Sequence, residues 1–287
     1  MGGRDWMLAA STLGAVEEDL GDVVAILQRH DARAVELRSA EGAFIHTALG
    51  GAERATVRDS FASAGIDVFA VASRVRIASA DDDDQVVTAL ADEMRLAADL
   101  GARFVRVFPG APATRASSDE VPELEESVAL VDTRAVSRLV RVVALSRELG
   151  VAPVLETHDS HPRGEDIARI LEGLDQAAPA HPVGAIWDVL HPWRVGEELS
   201  TTAAALARYI VDGRGYVQIK DVARPGDTTP VLQGQGTVPL EEFLGLLADV
   251  GYDGPVSLEW ERFWNPDVPR LDAALEAAAR ALRPSSR

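Results

Sequence analysis

VLETHD (residues 154–159) and VGAIWDVLH (residues 183–191) are two apolar runs that each carry an acid near the end. Between them, Gly164 to Gln176 has the apolar spacing of a helix. These segments predict a strand, a helix and a second strand, with Glu156 and Asp188 at the carboxyl ends of the two strands. Parallel α/β proteins build their sites at that end, so this stretch predicts both a fold class and a site.

The same alternation of strand and helix extends along the rest of the chain. Further strands are predicted at Met7–Leu13, Ala34–Leu37, Ile66–Ala72, Phe104–Phe108, Tyr216–Lys220 and Pro255–Glu259. Further helices are predicted at Leu20–His30, Gly50–Ala64, a long helix ending at Leu100, Ser127–Leu149, Leu199–Val211, Leu240–Val250 and Leu271–Leu282. The acidic run Asp81–Asp84 is predicted to cap the long helix, since negative charge is favourable at a helix N-terminus. Pro109–Pro122 is predicted to be a loop.

Eight strands, each followed by a helix, predict a parallel sheet. Eight such units in about 250 residues match the size of a closed (β/α)8 TIM barrel. The competing fold is an open doubly wound sheet, which would usually show a glycine-rich phosphate turn after the first strand. STLG at residues 11–14 lacks that spacing. No linker or shift in composition divides the chain, so residues 1–287 are expected to form a single α/β domain.

Composition narrows the class of protein. The formal net charge is −18, which disfavours nucleic acid as the main partner and otherwise indicates a well-solvated surface. The chain has no cysteine, which excludes disulfides and thiolate metal sites. No secretory signal is evident, and no apolar run approaches the roughly 20 residues that span a bilayer. We therefore expect a cytoplasmic protein with no membrane partner.

Four oxygen-bearing side chains lie at the ends of consecutive predicted strands: Glu156, Asp188, Gln218 and Glu259. In a closed barrel they would converge at the C-terminal mouth, where carboxylates repel one another and raise each other's pKa. A divalent cation resolves that conflict, and an all-oxygen set suits Mg²⁺ or Mn²⁺ rather than zinc. The alternative is that each acid is a solvated strand end or the partner of an arginine.

Two histidines accompany the acids. His191 follows Asp188 by three residues and is a candidate for binding a substrate oxygen or the metal, the alternative being a histidine packed beside Trp193. His158 shares a strand face with Glu156 and is a candidate for substrate binding. His161 and His181 lie in polar loops beside prolines and are expected to be exposed.

Arginines also occur at predicted strand ends, namely Arg38, Arg74, Arg106 and Arg224. Arginine grips carboxylate and phosphate through paired hydrogen bonds, so an anionic substrate is one interpretation. Salt bridges to Glu36 and the site acids are the other. Lys220 is the only lysine, and an ion-paired role beside Asp221 is favoured over a Schiff-base nucleophile.

These motifs resemble the sugar phosphate isomerase/epimerase family, the xylose isomerase-like TIM barrels. The resemblance covers nearly the whole chain and rests on VELR (35–38), LETHD (155–159), WDVLHPW (187–193), YVQIKD (216–221), GQGTVP (234–239), GYDG (251–254) and SLEWE (257–261). It implies that Glu156, Asp188, Gln218 and Glu259 are the metal ligands, with Gln218 replacing a more usual histidine, as in hydroxypyruvate isomerase-like members. It further implies that Glu156 and Glu259 exchange the substrate proton, and that His191 and Arg224 bind substrate.

The predicted function is that of a metal-dependent isomerase or epimerase acting on a sugar, sugar phosphate or small hydroxy-keto acid through a metal-stabilised enediolate. A lyase or dehydratase could use the same site, and a non-catalytic sugar-binding protein with a weakened metal site is a third reading. A DNA-repair endonuclease on this fold would need a histidine-rich three-metal cluster, and the ends of strands three and four offer no histidine. The sequence leaves homo-oligomer formation open.

Overall fold

A computed structural model describes residues 5–114 and 117–283 of the chain. Within these residues the strands, in chain order, are β1 Leu8–Ser11, β2 Ala34–Arg38, β3 Asp67–Arg76, β4 Phe104–Phe108, β5 Ala113–Thr114, β6 Glu123–Leu124, β7 Ala152–Glu156, β8 Gly184–Asp188, β9 Tyr216–Ile219 and β10 Val256–Leu258. The α-helices are α1 Leu20–Arg29, α2 Gly51–Ser63, α3 Asp83–Leu100, α4 Val128–Leu149, α5 Gly164–Ala177, α6 Leu190–Arg194, α7 Leu199–Ile210, α8 Leu240–Asp249 and α9 Leu271–Ala281.

Eight of the strands close into a parallel barrel in the order β1-β10-β9-β8-β7-β4-β3-β2. Closure is made where β1 pairs with β10, with Ala9 opposite Ser257. The predicted (β/α)8 barrel is therefore confirmed. The loop predicted at Pro109–Pro122 contains strand β5, which pairs antiparallel with β6 just beyond it, so this segment contributes one strand of a small two-stranded ribbon.

Side chains fill the barrel interior in layers below the mouth. A buried cluster inside the barrel includes Phe69, Phe104, Val154, Ile186 and Tyr216. The ring of Tyr216 meets the edge of Phe69 at a centroid distance of 4.9 Å. A second and larger apolar cluster lies between the strands and the surrounding helices. The interior is thus a packed core, which leaves the C-terminal mouth as the place for polar groups.

The acidic run before α3 caps that helix as predicted. Asp82 is the N-cap residue, and its Oδ1 accepts hydrogen bonds from the backbone N–H groups of Asp84 and Gln85 at 3.0 and 3.1 Å. These bonds satisfy donors that have no partner inside the helix. At the other end Gly101 adopts a φ of 80°, a conformation that favours glycine.

Two of the strands that carry predicted site residues end one residue earlier than the sequence pattern predicts. β9 ends at Ile219 and β10 ends at Leu258, so Lys220 and Glu259 are the first residues beyond their strands. Both side chains nevertheless remain buried at the mouth. Among the described residues no helix is both long enough and apolar enough to cross a membrane.

Candidate metal and active site

Three carboxylates meet at the C-terminal mouth of the barrel. Glu156 and Asp188 are the last residues of β7 and β8, and Glu259 directly follows β10. All three side chains are buried, and oxygens from each lie within 4.8 Å of one another. Gln218 lies opposite Asp188 in the β8–β9 register and is also buried. The structure thus gathers the three acids predicted as ligands and places the predicted glutamine on the neighbouring strand.

Two cations lie among these acids. Lys220 Nζ is 3.0 Å from Asp188 Oδ2 and also contacts Glu259 Oε2. Arg106, from β4, donates from Nη1 to Glu259 Oε1 at 2.8 Å, and its Nε lies 3.4 Å from Glu156 Oε2. A buried carboxylate without a partner carries a large desolvation penalty, and these two cations offset part of it. Of the two readings of Arg106, the salt bridge to the site acids is the one that the structure contains.

The two glutamates have opposite pKa shifts. Burial raises the pKa of Glu156 well above its ordinary value, and repulsion from Glu259 and Asp188 adds to the rise. Burial also acts to raise the pKa of Glu259, but contact with Lys220 and Arg106 outweighs it and lowers that pKa to about 2. Similar side chains therefore differ in proton affinity because only Glu259 touches both cations closely.

A buried network fixes the orientation of Gln218. Its Nε2 donates to Glu36 on β2, at 3.2 Å from Oε1 and 3.1 Å from Oε2. Glu36 also accepts hydrogen bonds from Tyr216 Oη at 2.7 Å and Ser257 Oγ at 3.1 Å. An ionised carboxylate accepts hydrogen bonds and cannot donate them. Glu36 therefore binds the amide nitrogen of Gln218 and turns Gln218 Oε1 away from itself. Glu36 belongs to this network and forms no salt bridge to Arg38 or Arg74.

The residues present fit a divalent metal ion. Both oxygens of Glu156 and Oε1 of Gln218 are buried acceptors without a hydrogen-bond partner among the described residues. Buried acceptors are seldom left unsatisfied, so these three oxygens are suited to bind a cation. Carboxylate and amide oxygens are the ligands that Mg²⁺ and Mn²⁺ prefer. Lys220 contacts two of the same acids, so a metal ion would compete with its ammonium group.

The two candidate histidines lie over the acids. His191 Nε2 is 3.9 Å from Glu156 Oε1, 4.0 Å from Asp188 Oδ2 and 3.4 Å from Lys220 Nζ. The ring of His158 packs between those of Phe108 and His191, at centroid distances of 4.3 and 4.5 Å. Glu156, His158 and His191 form a second group with ligand atoms close enough to share a metal ion. Both histidines therefore line the same mouth as the acids.

Arg224 lies apart from the carboxylates. Its side chain is 78% exposed, and its Nε donates to Asp227 Oδ1 at 2.9 Å within the loop that follows β9. Lys220 is ion-paired, as expected, and its partners are Asp188, Glu259 and Glu261 rather than the adjacent Asp221. Asp221 instead accepts hydrogen bonds from the backbone N–H groups of Gly234, Gly236 and Val238, which holds that loop against the barrel.

The exposure predicted for two loop histidines is wrong. His161 is buried, with Nε2 3.3 Å from Asp132 Oδ1 on α4 and Nδ1 2.8 Å from Ser160 Oγ. His181 is buried as well, with Nε2 3.0 Å from Asp175 Oδ1 on α5. Polar partners on neighbouring helices make burial favourable in both cases, since a buried ring nitrogen needs a hydrogen bond.

Comparison with known proteins agrees with this architecture. The family model described as xylose isomerase-like TIM barrel matches residues 24–284 of the chain. A Streptomyces coelicolor protein provisionally named hydroxypyruvate isomerase is 33% identical over 114 residues. That match covers 40% of this chain and 37% of the relative, so it spans well under half of the relative's length.

Solved structures show the same fold at low sequence identity. The IOLI protein, solved with a bound zinc atom, superposes with a TM-score of 0.74 at 18% identity and 96% coverage of each chain. D-psicose 3-epimerase from Clostridium cellulolyticum H10, solved with D-tagatose, gives a TM-score of 0.74 at 14% identity, also with 96% coverage of each chain. The likeness to these structures extends over the whole barrel.

Proposed function

Because the chain belongs to the xylose isomerase-like TIM barrel family, we propose that it is a divalent-metal-dependent isomerase or epimerase. Its substrate would be a sugar, a sugar phosphate or a small hydroxy-keto acid, and residues 1–287 would act as one barrel domain. One observation carries the proposal: three buried carboxylates converge at the mouth, and neither oxygen of Glu156 has a hydrogen-bond partner in the part of the chain that the structure describes. Such an arrangement is costly unless it serves a ligand.

In this proposal Glu156, Asp188, Gln218 and Glu259 hold the metal ion. Manganese or magnesium suits the all-oxygen donor set. When bound, a divalent cation polarises a substrate carbonyl and its neighbouring hydroxyl, which acidifies the C–H bond between them. Gln218 contributes its carbonyl oxygen, since Glu36 already occupies its amide nitrogen.

Glu156 and Glu259 would exchange the substrate proton. One carboxylate removes the proton from carbon, and the other returns it to the opposite face or to the adjacent carbon. Arg106 and Lys220 hold Glu259 in place through contacts to its two oxygens. His191 and His158 would bind substrate oxygens at the rim, and Arg224 would bind substrate from the loop after β9.

The relatives support a range of substrates. The relative provisionally named hydroxypyruvate isomerase favours a small hydroxy-keto acid. The structural likeness to D-psicose 3-epimerase is compatible with a ketose. Both substrate types place a carbonyl beside a hydroxyl-bearing carbon, which is the arrangement that enediolate chemistry requires.

Metal binding is the first test. We expect the purified protein, stripped with EDTA, to bind about one Mn²⁺ with a Kd on the order of micromolar in calorimetry. Glu156→Gln and Glu259→Gln should each weaken binding at least ~10-fold, because each removes a charged ligand. Glu148→Gln, at an exposed position on α4, makes the same change of charge outside the site and should leave the Kd unchanged. Absence of Mn²⁺ and Mg²⁺ binding would refute the metal-dependent mechanism.

Proton exchange is the second test. The Mn²⁺-loaded protein is incubated in D₂O with a panel of ketoses, ketose phosphates and hydroxy-keto acids, and deuterium incorporation is followed by NMR. We expect incorporation at the carbon beside the carbonyl for at least one compound, and its loss in Glu156→Gln or Glu259→Gln. Metal binding without exchange for any compound would contradict isomerase or epimerase activity.

A further inference from the structure

A cavity of about 480 Å³ opens on the side of the barrel mouth formed by the segments that follow β1, β2 and β10. It lies where the turn after β1, the end of β2 and the loop after β10 come together, and Thr12, Arg38, Phe44 and Phe263 are among its lining residues. Its size is in the range of small-molecule sites, which begins at about 300 Å³. The proposed chemistry at Glu156 and Glu259 does not account for this space.

Arg38 is placed above the Gln218 layer of the barrel. Glu36 and Arg38 are two residues apart on β2, so their side chains share a face of the strand. Glu36 points across the barrel to Gln218, which puts Arg38 one step closer to the mouth. Thr12 Oγ1 accepts a hydrogen bond from Arg38 N at 2.8 Å and fixes the backbone there.

The guanidinium of Arg38 stacks on an aromatic ring. Its Cζ lies 4.1 Å from the ring centroid of Phe263. Stacking engages the flat face of the guanidinium and leaves its edge, with the paired N–H groups, available for a planar anion. Phe263 follows Glu259 by four residues, so the platform belongs to the segment that carries a proposed catalytic acid.

The charge of Arg38 is not paired with a carboxylate of the described residues, although the protein as a whole is acidic. Among the residues that the structure describes, its guanidinium forms no ion pair and no hydrogen bond, and the same holds for Arg74 on β3. Burial lowers the pKa of Arg38, and repulsion from Arg74 and Arg106 lowers it further. An anion that binds beside these arginines is attracted by several positive charges and offsets their mutual repulsion.

The acids that line the same cavity do not neutralise Arg38. Glu18 accepts a hydrogen bond from Arg270 at 2.7 Å, and Asp19 caps α1 by accepting one from Asp22 N at 2.9 Å. Glu41 is exposed at the rim and forms no ion pair with Arg38. Among the described residues that line this cavity, the guanidinium of Arg38 therefore remains the charged donor available to a ligand.

We propose that Arg38, stacked on Phe263 and supported by Arg74, binds an anionic group of the substrate, a carboxylate or a phosphate. This inference rests on the proposed function, which places the reacting carbons between Glu156 and Glu259. It narrows the substrate class to acids and phosphate esters, and it predicts that neutral sugars bind more weakly than these anions. The arginine side of the mouth then recognises the substrate, and the carboxylate side transforms it.

Binding of matched ligands tests this directly on the Mn²⁺-loaded protein. One pair is hydroxypyruvate and dihydroxyacetone, which differ in a carboxylate against a hydroxymethyl group. The other pair is D-fructose 6-phosphate and D-fructose. We expect calorimetry to show at least ~10-fold tighter binding of the anionic member of one pair, because charge-assisted hydrogen bonds are the strong ones. The pair that shows this preference identifies the anion as carboxylate or phosphate.

Variants of Arg38 complete the test. Arg38→Met should weaken the anionic ligand ~10–100-fold and leave its neutral partner unchanged, while Arg38→Lys should give an intermediate loss because it keeps the charge and loses the planar fork. Arg58→Met, on α2, makes the same change of charge at an exposed position and should have no effect. Equal affinity for anionic and neutral members, or equal losses of both in Arg38→Met, would overturn the proposal.

Deuterium exchange measured on the same ligands separates this proposal from the proposed function. Exchange into a neutral sugar that is indifferent to Arg38 supports the isomerase and refutes the anion site. Binding of an anion that depends on Arg38, without exchange into any ligand, supports the anion site and refutes the isomerase.

Discussion

The two sides of the barrel mouth handle charge in different ways. On the side built by β7, β8 and β10, the buried acids Glu156, Asp188 and Glu259 are in contact with Lys220 and Arg106. On the side built by β2 and β3, Arg38 and Arg74 have no carboxylate partner among the described residues. The negative charges of the acids are balanced by cations of the protein itself, whereas the positive charges of the two arginines are not balanced by a carboxylate of the described residues.

The difference follows from burial. The acids on the first side are fully shielded from water, where an isolated charge carries a large desolvation penalty, so the chain itself must supply cations. The arginines on the second side are in contact with solvent, which stabilises them until a ligand arrives. A compensated cluster can hold a metal ion and move protons, whereas uncompensated arginines can select an anion.

The largest expected effect comes from removing the cation that the acids share. Lys220→Met removes the cation in contact with Asp188, Glu259 and Glu261, and leaves Arg106 in contact with Glu259. We expect the free energy of unfolding in EDTA to fall by about 3–5 kcal/mol, since breaking a buried ion pair leaves an uncompensated charge. Saturating Mn²⁺ should restore most of that loss, because it supplies the missing positive charge. Urea unfolding with EDTA and with Mn²⁺ measures both quantities.

An exposed ion pair provides the control for Lys220. Arg280 donates to Glu276 at 2.9 Å on α9, with both side chains 61% exposed. Arg280→Met should change the free energy of unfolding by less than about 0.5 kcal/mol. If Lys220→Met were equally destabilised with and without Mn²⁺, the lysine would be a structural residue and the acids would not bind the metal ion.

A smaller effect is expected from the network behind Gln218. Glu36→Gln replaces an acceptor by a group that can donate to Gln218 Oε1, which frees the amide to rotate away from the metal position. We expect the Kd for Mn²⁺ to rise ~10–100-fold, as for other residues that orient a metal ligand. Calorimetric titration of the EDTA-stripped protein measures it.

A double-mutant cycle shows whether Glu36 acts through Gln218. In the Gln218→Ala background the amide is gone, so adding Glu36→Gln should leave the Kd for Mn²⁺ unchanged. The same loss in both backgrounds would mean that Glu36 affects the barrel in general, and the positioning role would be wrong.

The barrel and the acids could be predicted because both follow from local patterns. Strand and helix alternate without interruption, and Glu156 and Asp188 end apolar runs whose direction is fixed by the parallel sheet. The sequence singles out Lys220 as the only lysine but does not reveal its partners, because Asp188 and Glu259 approach Lys220 only after the barrel closes.

The Glu36 network shows why the remainder could not be predicted. Glu36 meets Tyr216 and Gln218 from the other side of the barrel, across 180 and 182 positions of sequence. No spacing rule links residues so far apart, because their contact depends on strand register and on the width of the interior. His161 and His181 illustrate the same limit, since their acidic partners lie on helices whose orientation the sequence pattern does not give.

The smallest expected effect concerns an acid behind the arginine side. Glu93, on α3, accepts a hydrogen bond from Ser39 Oγ at 3.0 Å through Oε1, and its Oε2 has no hydrogen-bond partner among the described residues. Burial raises the pKa of Glu93 to about 7, although the bond from Ser39 acts in the opposite direction. Glu259 is in contact with two cations and has a lowered pKa, whereas burial dominates at Glu93 and raises its pKa. The two acids therefore compare a buried carboxylate that has cations in contact with one for which burial is the larger effect.

Glu93→Gln should therefore change how stability depends on pH. Because the folded-state pKa is raised, the folded protein binds an extra proton between about pH 4.5 and 7, and this contribution to stability is lost as the pH rises through 7. Glutamine removes that dependence, so the variant should gain stability relative to the parent across this window, on the order of 1 kcal/mol by pH 8. Urea unfolding at several pH values measures the difference, with the exposed Glu148→Gln as a control that should show no such trend. A difference that stays constant from pH 5 to pH 8 would mean that Glu93 is ionised over the whole range, and that the arginine side, like the acid side, stabilises its buried carboxylate with positive charge.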